Sequence, residues 1–418
     1  MSLDQALTTG ALGAAALRQR LGVSPATLSR LVRERRDVVR FGRARATRYA
    51  LQQRWPQLDT ARLPLIRISD SGHAESVGEL ITLAGRQSLV LPGAELHDGL
   101  PVELADMRPA GFLGRHFAAR HADLRLPDRV TEWGDHHVLL AVSRRGDDLP
   151  GNLLVGHETF ERWQTLPPSP QTREDYTTLA EAAIGGHPPD ASAGGERPKF
   201  GALVDGRHCL VKFAARGADP VAQRWHDLLV LEALALQLVA AQGLAAARTT
   251  LVDAARYTFL ESERFDRVGL RGRVAVLSLA AAHDNPADPW AHAAVRLLER
   301  GLISAEDARR LQWLDAFGAH IANTDRHQHN IVFFARAGTL TLAPAFDHAS
   351  MFYAPSGDGQ VRAQIMPPPR QTADTLDVWD SARAAGHEFW TRAAHDTRLS
   401  EGMRRIAEQH REVTARPE

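Results

Sequence analysis

Between His320 and Asn330 the chain reads His-Ile-Ala-Asn-Thr-Asp-Arg-His-Gln-His-Asn, its densest run of side chains able to do chemistry. Two apolar runs follow, residues 331–334 and 339–343, separated by a glycine turn at 336–338, and then Pro344-Ala-Phe-Asp347. Runs of similar length around such a turn read as a β-hairpin. A hairpin returns the chain to its start, so Asp347 is expected beside Asn330, with Asp325 on the same loop. Two carboxylates and a carboxamide converging there can supply a base and two magnesium ligands, the set that phosphoryl transfer needs. A rival reading is a transition-metal site, because His320, His327, His329 and Asp325 are suitable ligand types. Against it, His327 and His329 lack the His-x-x-x-His spacing of a helical site. A hydrogen-bonded structural turn accounts for His320 and His329 singly. It does not account for Asp325, Asn330 and Asp347 together.

Composition marks a second group. Of 50 Lys and Arg residues, only Lys199 and Lys212 are lysines. An arginine-rich bias acts on the whole chain, so two lysines kept in one short segment mark positions that want a compact point charge rather than a guanidinium fork. Lys199 closes Ser192-Ala-Gly-Gly195-Glu-Arg-Pro-Lys199, a glycine-containing loop whose backbone N–H groups can approach a phosphate. Such loops are common, and alone this one is weak evidence. A strand over residues 200–204, a turn at Asp205-Gly206 and a return strand carrying His208-Cys-Leu-Val-Lys212-Phe follow. Alternation puts Leu210 and Lys212 on one face, so Lys212 is expected to point inward toward something anionic. The next helix, residues 224–242, is apolar nearly all round and therefore deeply packed. Glu232 sits in its middle, where a carboxylate is costly unless paired, and Lys212 is the nearest lysine. A strand lysine held by a helix glutamate is the device that keeps the lysine on nucleotide phosphates in kinases. The competing reading leaves Glu232 on a narrow polar stripe with Arg224 and Gln242, reaching solvent.

The elements that must position these residues belong to an ordinary globular chain. At 418 residues, 44% hydrophobic and 24% charged, two to four domains are expected and wholesale disorder is excluded. A single cysteine, Cys209, excludes an intrachain disulfide and a cysteine-based zinc site. No apolar run spans a bilayer and MSLDQALTTG lacks the layout of a signal peptide, so a soluble cytoplasmic protein without membrane association is expected. The net charge of +0 hides an asymmetry: residues 1–55 hold eleven arginines against Asp4, Glu34 and Asp37. A basic surplus on one small module is the footprint of a nucleic-acid contact. A helix over residues 14–21, a break at Gly22, and Ser24-Pro25 opening a second helix to about Glu34 resemble a helix-turn-helix. Thr27, Arg30 and Arg33 would then lie on the exposed face of the recognition helix. The run VVRFGRARATRYAL, two β-prone stretches around Gly42, looks like a wing, with Arg43 and Arg45 at its tip near phosphates. The alternative is a small helical oligomerisation module with a solvated basic face. Residues 54–62 read as a linker. Residues 63–155 read as mixed strands and loops, with 111–115 and 138–142 the clearest elements. Residues 166–172 read as a proline-rich break and 185–198 as a low-complexity linker.

Taken in order, Ser-x-x-Gly-x-x-x-Lys, a strand lysine, a helical glutamate ahead of Gly243-Leu244, Arg264-Phe-Asp-Arg267 and Asn-Thr-Asp-Arg-His-x-x-Asn resemble the HipA-type serine/threonine kinases, the toxins of toxin–antitoxin modules. The resemblance runs over residues 60–418 and implies an α+β, bilobal, protein-kinase-like fold. Its parts would be a winged helix-turn-helix at 1–58, a β-rich subdomain at 60–165, a mixed α/β N-lobe at 172–265 and a mostly helical C-lobe at 266–418. It further implies that Lys212, supported by Glu232, holds the ATP phosphates beneath the loop of Gly195 and Lys199. Asp325 would be the base for the acceptor hydroxyl, Asn330 and Asp347 would bind Mg²⁺, and the stretch from Glu263 to Phe265 would be the hinge against adenine. Ser192 matches the loop serine that this family autophosphorylates, an event that ejects the loop and silences the kinase. A dianionic group beside the phosphate cradle would repel ATP. Two departures stand out. The position before Pro198, usually glutamine in the family, is Arg197 here. The family typically takes DNA binding from a separate antitoxin, whereas here a winged-helix-like module is fused at the N-terminus.

The leading expectation is an ATP- and magnesium-dependent protein serine kinase with a DNA-binding N-terminal domain, acting as a growth-inhibiting toxin on a protein substrate. The resemblance points to aminoacyl-tRNA synthetases as the substrate class. The fused module is compatible with an antitoxin partner or with self-regulation of the promoter. The alternative from another class is a DNA-binding transcriptional regulator whose kinase-like body senses nucleotide without catalysis; the intact Asp325, Asn330 and Asp347 set argues against it. A third reading is a metal-dependent hydrolase or nuclease built on the histidine cluster.

Overall fold

Cap residues set the first elements in the computed structural model, which describes residues 1–185, 197–336 and 338–414. Helix α1 (Leu3–Leu7) opens with a capping box between Ser2 and Gln5. Helix α2 (Ala14–Leu21) ends at Gly22 in the left-handed region, φ 68°. Ser24 Oγ then accepts from Thr27 N at 3.2 Å to start α3 (Pro25–Arg33). Strands β1 (Leu12–Gly13), β2 (Val38–Phe41) and β3 (Arg48–Leu51) pair antiparallel in the order β1-β3-β2. Leu7, Leu17, Leu28, Val38 and Tyr49 make the small core between the helices and the β2–β3 pair. Helix α1 and strand β1 go beyond the sequence reading, being too short for periodicity to show.

An antiparallel sheet follows, of β4 (Arg62–Ile68), β5 (Ala74–Thr82), β6 (Gln87–Leu91), β7 (Glu95–Asp98) and β8 (Leu153–Val155), in the order β7-β6-β5-β4-β8. The helices around it are α4 (Val102–Ala105), α5 (Gly111–Arg120), α6 (Asp135–Arg145) and α7 (His157–Thr165). Two expectations change here. Residues 54–62 are not a free linker: Trp55 and Leu58 are buried, and Trp55 Nε1 donates to Leu83 O at 3.2 Å. Two apolar anchors outweigh the polar composition around them. Residues 111–115 and 138–142 both lie in helices, α5 and α6, in a stretch read as strands and loops. A short run such as Val-Leu-Leu-Ala-Val looks alike in a buried strand and a buried helix, and residues 138–143 are buried on every side of α6. Apart from the first three residues of α5, these elements fall in one compact unit, Met1–Ser69, His73–Ala110 and Gly114–Pro167.

The second unit, Asp70–Gly72, Gly111–Leu113 and Pro168–Glu418, holds the chemistry. After α8 (Tyr176–Ala183) come β9 (Lys199–Val204), β10 (Arg207–Ala215), β11 (Thr249–Asp253) and β12 (Tyr257–Glu263), an antiparallel sheet in the order β11-β12-β10-β9. Helix α9 (Pro220–Ala241) starts where Asp219 Oδ2 accepts from Val221 N and Ala222 N, at 3.0 and 2.9 Å. It is buried continuously from Asp227 to Leu236 and packs on that sheet. A short hairpin, β13 (Arg267–Val268) and β14 (Gly272–Arg273), leads to β15 (Val276–Ser278) and α10 (Leu279–Ala282). Helices α11 (Trp290–Glu299), α12 (Ala305–His320), α13 (Trp379–His395) and α14 (Glu401–Thr414) form the helical part, with β16 (Val332–Arg336) and β17 (Thr339–Leu342) pairing beside β15. Trp290, Phe317, Phe389 and Trp390 are fully buried in its core. The architecture is α+β, a mixed sheet-and-helix half joined to a mostly helical half. Among the described residues no helix is long and apolar enough to cross a membrane.

Candidate active site

The site begins with the turn between β9 and β10. Asp205 and Gly206 take φ 50° and 74°, the left-handed pair that a two-residue hairpin turn requires. The turn fixes the register, and in that register Lys199 lies directly opposite Lys212. The only two lysines of the chain are therefore cross-strand neighbours. Like charges so placed repel, and anions converge to offset them. Lys212 Nζ donates to Glu232 Oε1 and to Asp347 Oδ1, each at 2.6 Å. The second oxygen of Glu232 accepts from Arg197 Nη1, also at 2.6 Å. Glu232 is 0% exposed, so it is held inside by two cations and does not reach solvent on a polar stripe.

Asp347 is brought to Lys212 by a parallel bridge. Ala345 N donates to Ala245 O and Ala247 N to Ala345 O, each at 2.9 Å, which ties the segment before Asp347 to the chain leaving α9. Asp347 itself has φ 55°, a left-handed conformation that aspartate tolerates better than most residues. Burial works against its charge, but Lys212, Lys199 and Arg197 outweigh that and hold its carboxyl well below the usual carboxylate range. Burial pushes the Lys199 ammonium down from the ordinary lysine value; Asp347 pulls it back and Lys212 adds to the fall. No described residue pairs with that ammonium, which leaves one cation in the cluster for an incoming anion.

The loop after α12 presents Asp325. Asn323 Oδ1 accepts from Asp325 N at 2.9 Å, an Asx turn, and Asn330 Nδ2 donates to Asp325 O at 2.9 Å. Two carboxamides thus grip the backbone of Asp325 from either side, while its side chain stays 48% exposed. Arg326 braces the loop from behind, its Nε donating to Asp315 Oδ1 at 2.9 Å and its Nη1 to Asn323 O. Asp315 Oδ2 in turn accepts from Ala291 N at 3.1 Å. A Cβ at Gly318 would stand 2.7 Å from Arg326 Cδ, so a larger residue there would displace the Arg326 side chain. The hairpin closes as expected from its turn: Ala343 N donates to Val332 O at 2.9 Å, carrying the chain back toward Asp347. Phe352 N donates to Ala322 O at 3.0 Å and links the two loops.

Glu263 ends β12, and Phe265 just beyond it is half-buried, its ring 5.6 Å from Phe346 and 5.9 Å from Phe334. The motif between them folds on itself, with Arg264 Nε and Arg267 Nη1 donating to Asp266 at 3.0 and 2.6 Å. The structure therefore brings Lys199, Lys212, Glu232 and Asp347 into one cluster and places Asp325 and Asn330 together on a braced loop. Ser192 and Gly195 lie outside the described residues. His327 and His329 are neighbours, their rings 6.1 Å apart, and His327 Nε2 lies 3.8 Å from Asp325 Oδ1, but His320 does not join them. His320 is buried with its ring 4.5 Å from that of Trp379, whereas His327 and His329 are exposed. Among the described residues no group of three or more His, Cys, Asp or Glu is placed to hold a metal ion.

Sequence reasoning passed over three contributors. Arg197 stood out only as a departure from a family pattern. Asn323 was legible, since an Asn two residues before an Asp is a common turn-former. Asp315 gave no signal, because nothing links it to Arg326 before α12 is folded.

In the first unit, Arg30 and Arg33 are exposed on α3, and Arg43 and Arg45 on the connection between β2 and β3. Thr27 is half-buried rather than free on the surface, its Oγ1 3.0 Å from Ser24 Oγ; its place in the first turn of α3 engages it in the cap. Arg35 donates to Asp4 at 2.6 Å and to Asp37 at 2.8 Å. Two of the module's three acids thus share one arginine, and Arg30, Arg33, Arg43 and Arg45 are left exposed around them.

Comparison with known proteins follows the same division. Residues 191–416 match the family described as HipA-like C-terminal domain, and residues 59–164 match the YjjJ-like toxin, middle domain. The chain is 36% identical to Toxin YjjJ of Escherichia coli (strain K12) over 425 residues, covering 97% of this chain and 96% of that protein. Among solved structures it resembles a chain of the Shewanella oneidensis MR-1 toxin–antitoxin complex of HipA, HipB and operator DNA. The TM-score is 0.50 at 13% sequence identity, covering 84% of this chain and 95% of that one. At that identity the likeness speaks for the fold, which is protein-kinase-like.

Proposed function

The chain belongs to the HipA-type toxin family, and from that premise we propose that it is an ATP- and magnesium-dependent serine/threonine protein kinase. The observation that carries this reading is the buried Lys212–Glu232 pair beside Asp347, with the braced Asp325 on the neighbouring loop. A cluster with three cations, one of them unpaired among the described residues, suits a polyphosphate. In this reading Lys199 and Lys212 hold phosphate oxygens and Phe265 lines the adenine side, with the Glu263–Phe265 backbone as hinge. Asp325 accepts the proton of the acceptor hydroxyl, and Asn323, Asn330 and Arg326 fix its position. Asp347 and the Asn330 carbonyl oxygen are the groups that would hold Mg²⁺, which supplies charge neutralisation on the phosphates when bound. Asp347 is suited to this, since its surroundings keep it ionised.

The acceptor is a protein, an aminoacyl-tRNA synthetase being the class the family suggests, and phosphorylation there restrains growth. Ser192 is the proposed autophosphorylation site. The basic N-terminal module is read as the chain's own DNA contact, with Arg30 and Arg33 on α3 and Arg43 and Arg45 on the wing meeting phosphates. The Shewanella protein was solved with an antitoxin and operator DNA, and an antitoxin partner for this chain is part of the proposal. The test is incubation with ATP and Mg²⁺ followed by mass-spectrometric site mapping. Phosphate on Ser192 in wild type, absent from Lys212→Ala, supports the reading; a wild-type chain that binds no ATP and gains no phosphate overturns it.

A further inference from the structure

Arg197 enters the charge cluster from the base of the glycine loop, two residues ahead of Lys199, and none of the roles above needs it. Its side chain is 5% exposed. Nη1 donates to Glu232 Oε2 at 2.6 Å, and Nη2 lies 3.4 Å from Met351 Sδ, a neutral and weak acceptor. The guanidinium is therefore aimed at one carboxylate, and that carboxylate is the one behind Lys212.

Lys212 has conflicting tasks. It bridges Glu232 and Asp347. To receive phosphate it must loosen its hold on Asp347, whose carboxylate is then needed for the cation. If Lys212 were the sole partner of Glu232, any such shift would tend to strand a carboxylate in a place with no solvent, and Lys212 would be pulled back onto it. A second cation on the other oxygen removes that penalty. On this geometry we infer that Arg197 is a positioning residue: it keeps Glu232 satisfied independently of Lys212, so that Lys212 can exchange Asp347 for nucleotide phosphate. Arg197 need not touch the nucleotide. Its attachment next to Lys199 also makes the seating of the loop base and the state of Glu232 one event, since the same short stretch carries both side chains.

This inference rests on the proposed nucleotide site, and its test separates the two. ATP affinity is measured on the full chain for wild type, Arg197→Met, Arg197→Lys, Glu232→Gln and the Arg197→Met/Glu232→Gln double variant, with KM and kcat for phosphate transfer alongside. Arg197→Met is expected to weaken ATP binding about tenfold and to raise KM by a similar factor, with kcat changed by about twofold or less; Arg197→Lys restores most of the loss. Glutamine at 232 carries no charge to strand, so in that background Arg197→Met should cost only about twofold more. If Arg197→Met costs the same factor in both backgrounds, Arg197 acts on the nucleotide directly and the inference is wrong. It is equally wrong if Arg197→Met leaves affinity unchanged. Should Arg197→Met fail to fold, Arg197→Lys in the two backgrounds carries the same comparison: a small loss present with Glu232 and absent with glutamine supports the inference, and an equal loss refutes it. A wild-type chain that binds no ATP overturns the nucleotide site itself, and the inference with it.

Discussion

Replacing Lys212 with methionine keeps most of the side-chain volume and removes one charge from a three-cation cluster. Breaking a buried ion pair costs about 3–5 kcal/mol when the remaining partner is left unpaired. Here neither carboxylate is wholly abandoned. Glu232 retains Arg197 at 2.6 Å, and the Asp347 side chain is 24% exposed, so water can reach it. Removing Lys212 also relieves its repulsion with Lys199 across the strand pair, an effect of up to about 1 kcal/mol. The net loss of stability should be about 1–3 kcal/mol. Nucleotide binding should suffer more, because a charge-assisted hydrogen bond to phosphate contributes about 1.5–3 kcal/mol, or roughly tenfold to a hundredfold in affinity. Urea unfolding followed by tryptophan fluorescence and titration with ATP read the two effects separately. A stability loss above about 5 kcal/mol would mean that Arg197 does not sustain Glu232. ATP affinity equal to wild type would refute the assignment of Lys212 to the phosphates.

Arg326→Ala removes the brace on Asp315 and Asn323; phosphate transfer should fall by at least about tenfold while ATP affinity stays within about threefold, and the reverse pattern would mean the loop serves nucleotide binding instead. Charge reversal at Arg30 and Arg33 should weaken DNA binding and reduce its log–log salt slope by roughly 0.9 for each phosphate no longer neutralised, leaving transfer intact; an unchanged slope would remove the α3 face as the DNA-binding surface. Burial holds His320 and His410 near pKa 4, below the ordinary 6.5. Their unfolded forms take up protons first as pH falls, so stability is full above about pH 6.5 and declines toward pH 4, by about 2–4 kcal/mol between pH 7 and 5. Urea unfolding at the two pH values checks this, and a His320→Gln/His410→Gln chain should lose most of the difference; equal stability of wild type at both pH values would refute it.

Much of the second unit was legible because its signals are local. The Asp205-Gly206 turn, the alternation through Lys212 and the apolar wrap of α9 each follow from a few neighbouring residues, and together they place Lys212 against Glu232. The hairpin after Asn330 is likewise written in its two apolar runs and glycine turn. What was not legible depends on tertiary closure. Arg197 reaches Glu232 only because β9, which it precedes, pairs with β10 and β10 packs on α9, and the Asp315–Arg326 brace exists only once α12 has turned the chain through Ala322. In the first unit, Trp55 and Leu58 were hidden by polar neighbours, and the helix over residues 135–145 by an apolar run that fits either helix or strand. Thr27 shows the same limit at small scale: its position on α3 was readable, but its hydroxyl was already engaged by the cap.

The role proposed for Asp325 is to serve phosphate transfer from an ATP held by Lys212. The direct measurement is transfer of label from radiolabelled ATP in the presence of Mg²⁺, comparing wild type with Asp325→Asn. Asparagine at 325 keeps the backbone N–H and C=O that Asn323 and Asn330 hold, so the loop should stay in place and ATP should still bind. Labelling of wild type and a loss of at least about a hundredfold in Asp325→Asn are expected. Labelling of Asp325→Asn at the wild-type rate would contradict it.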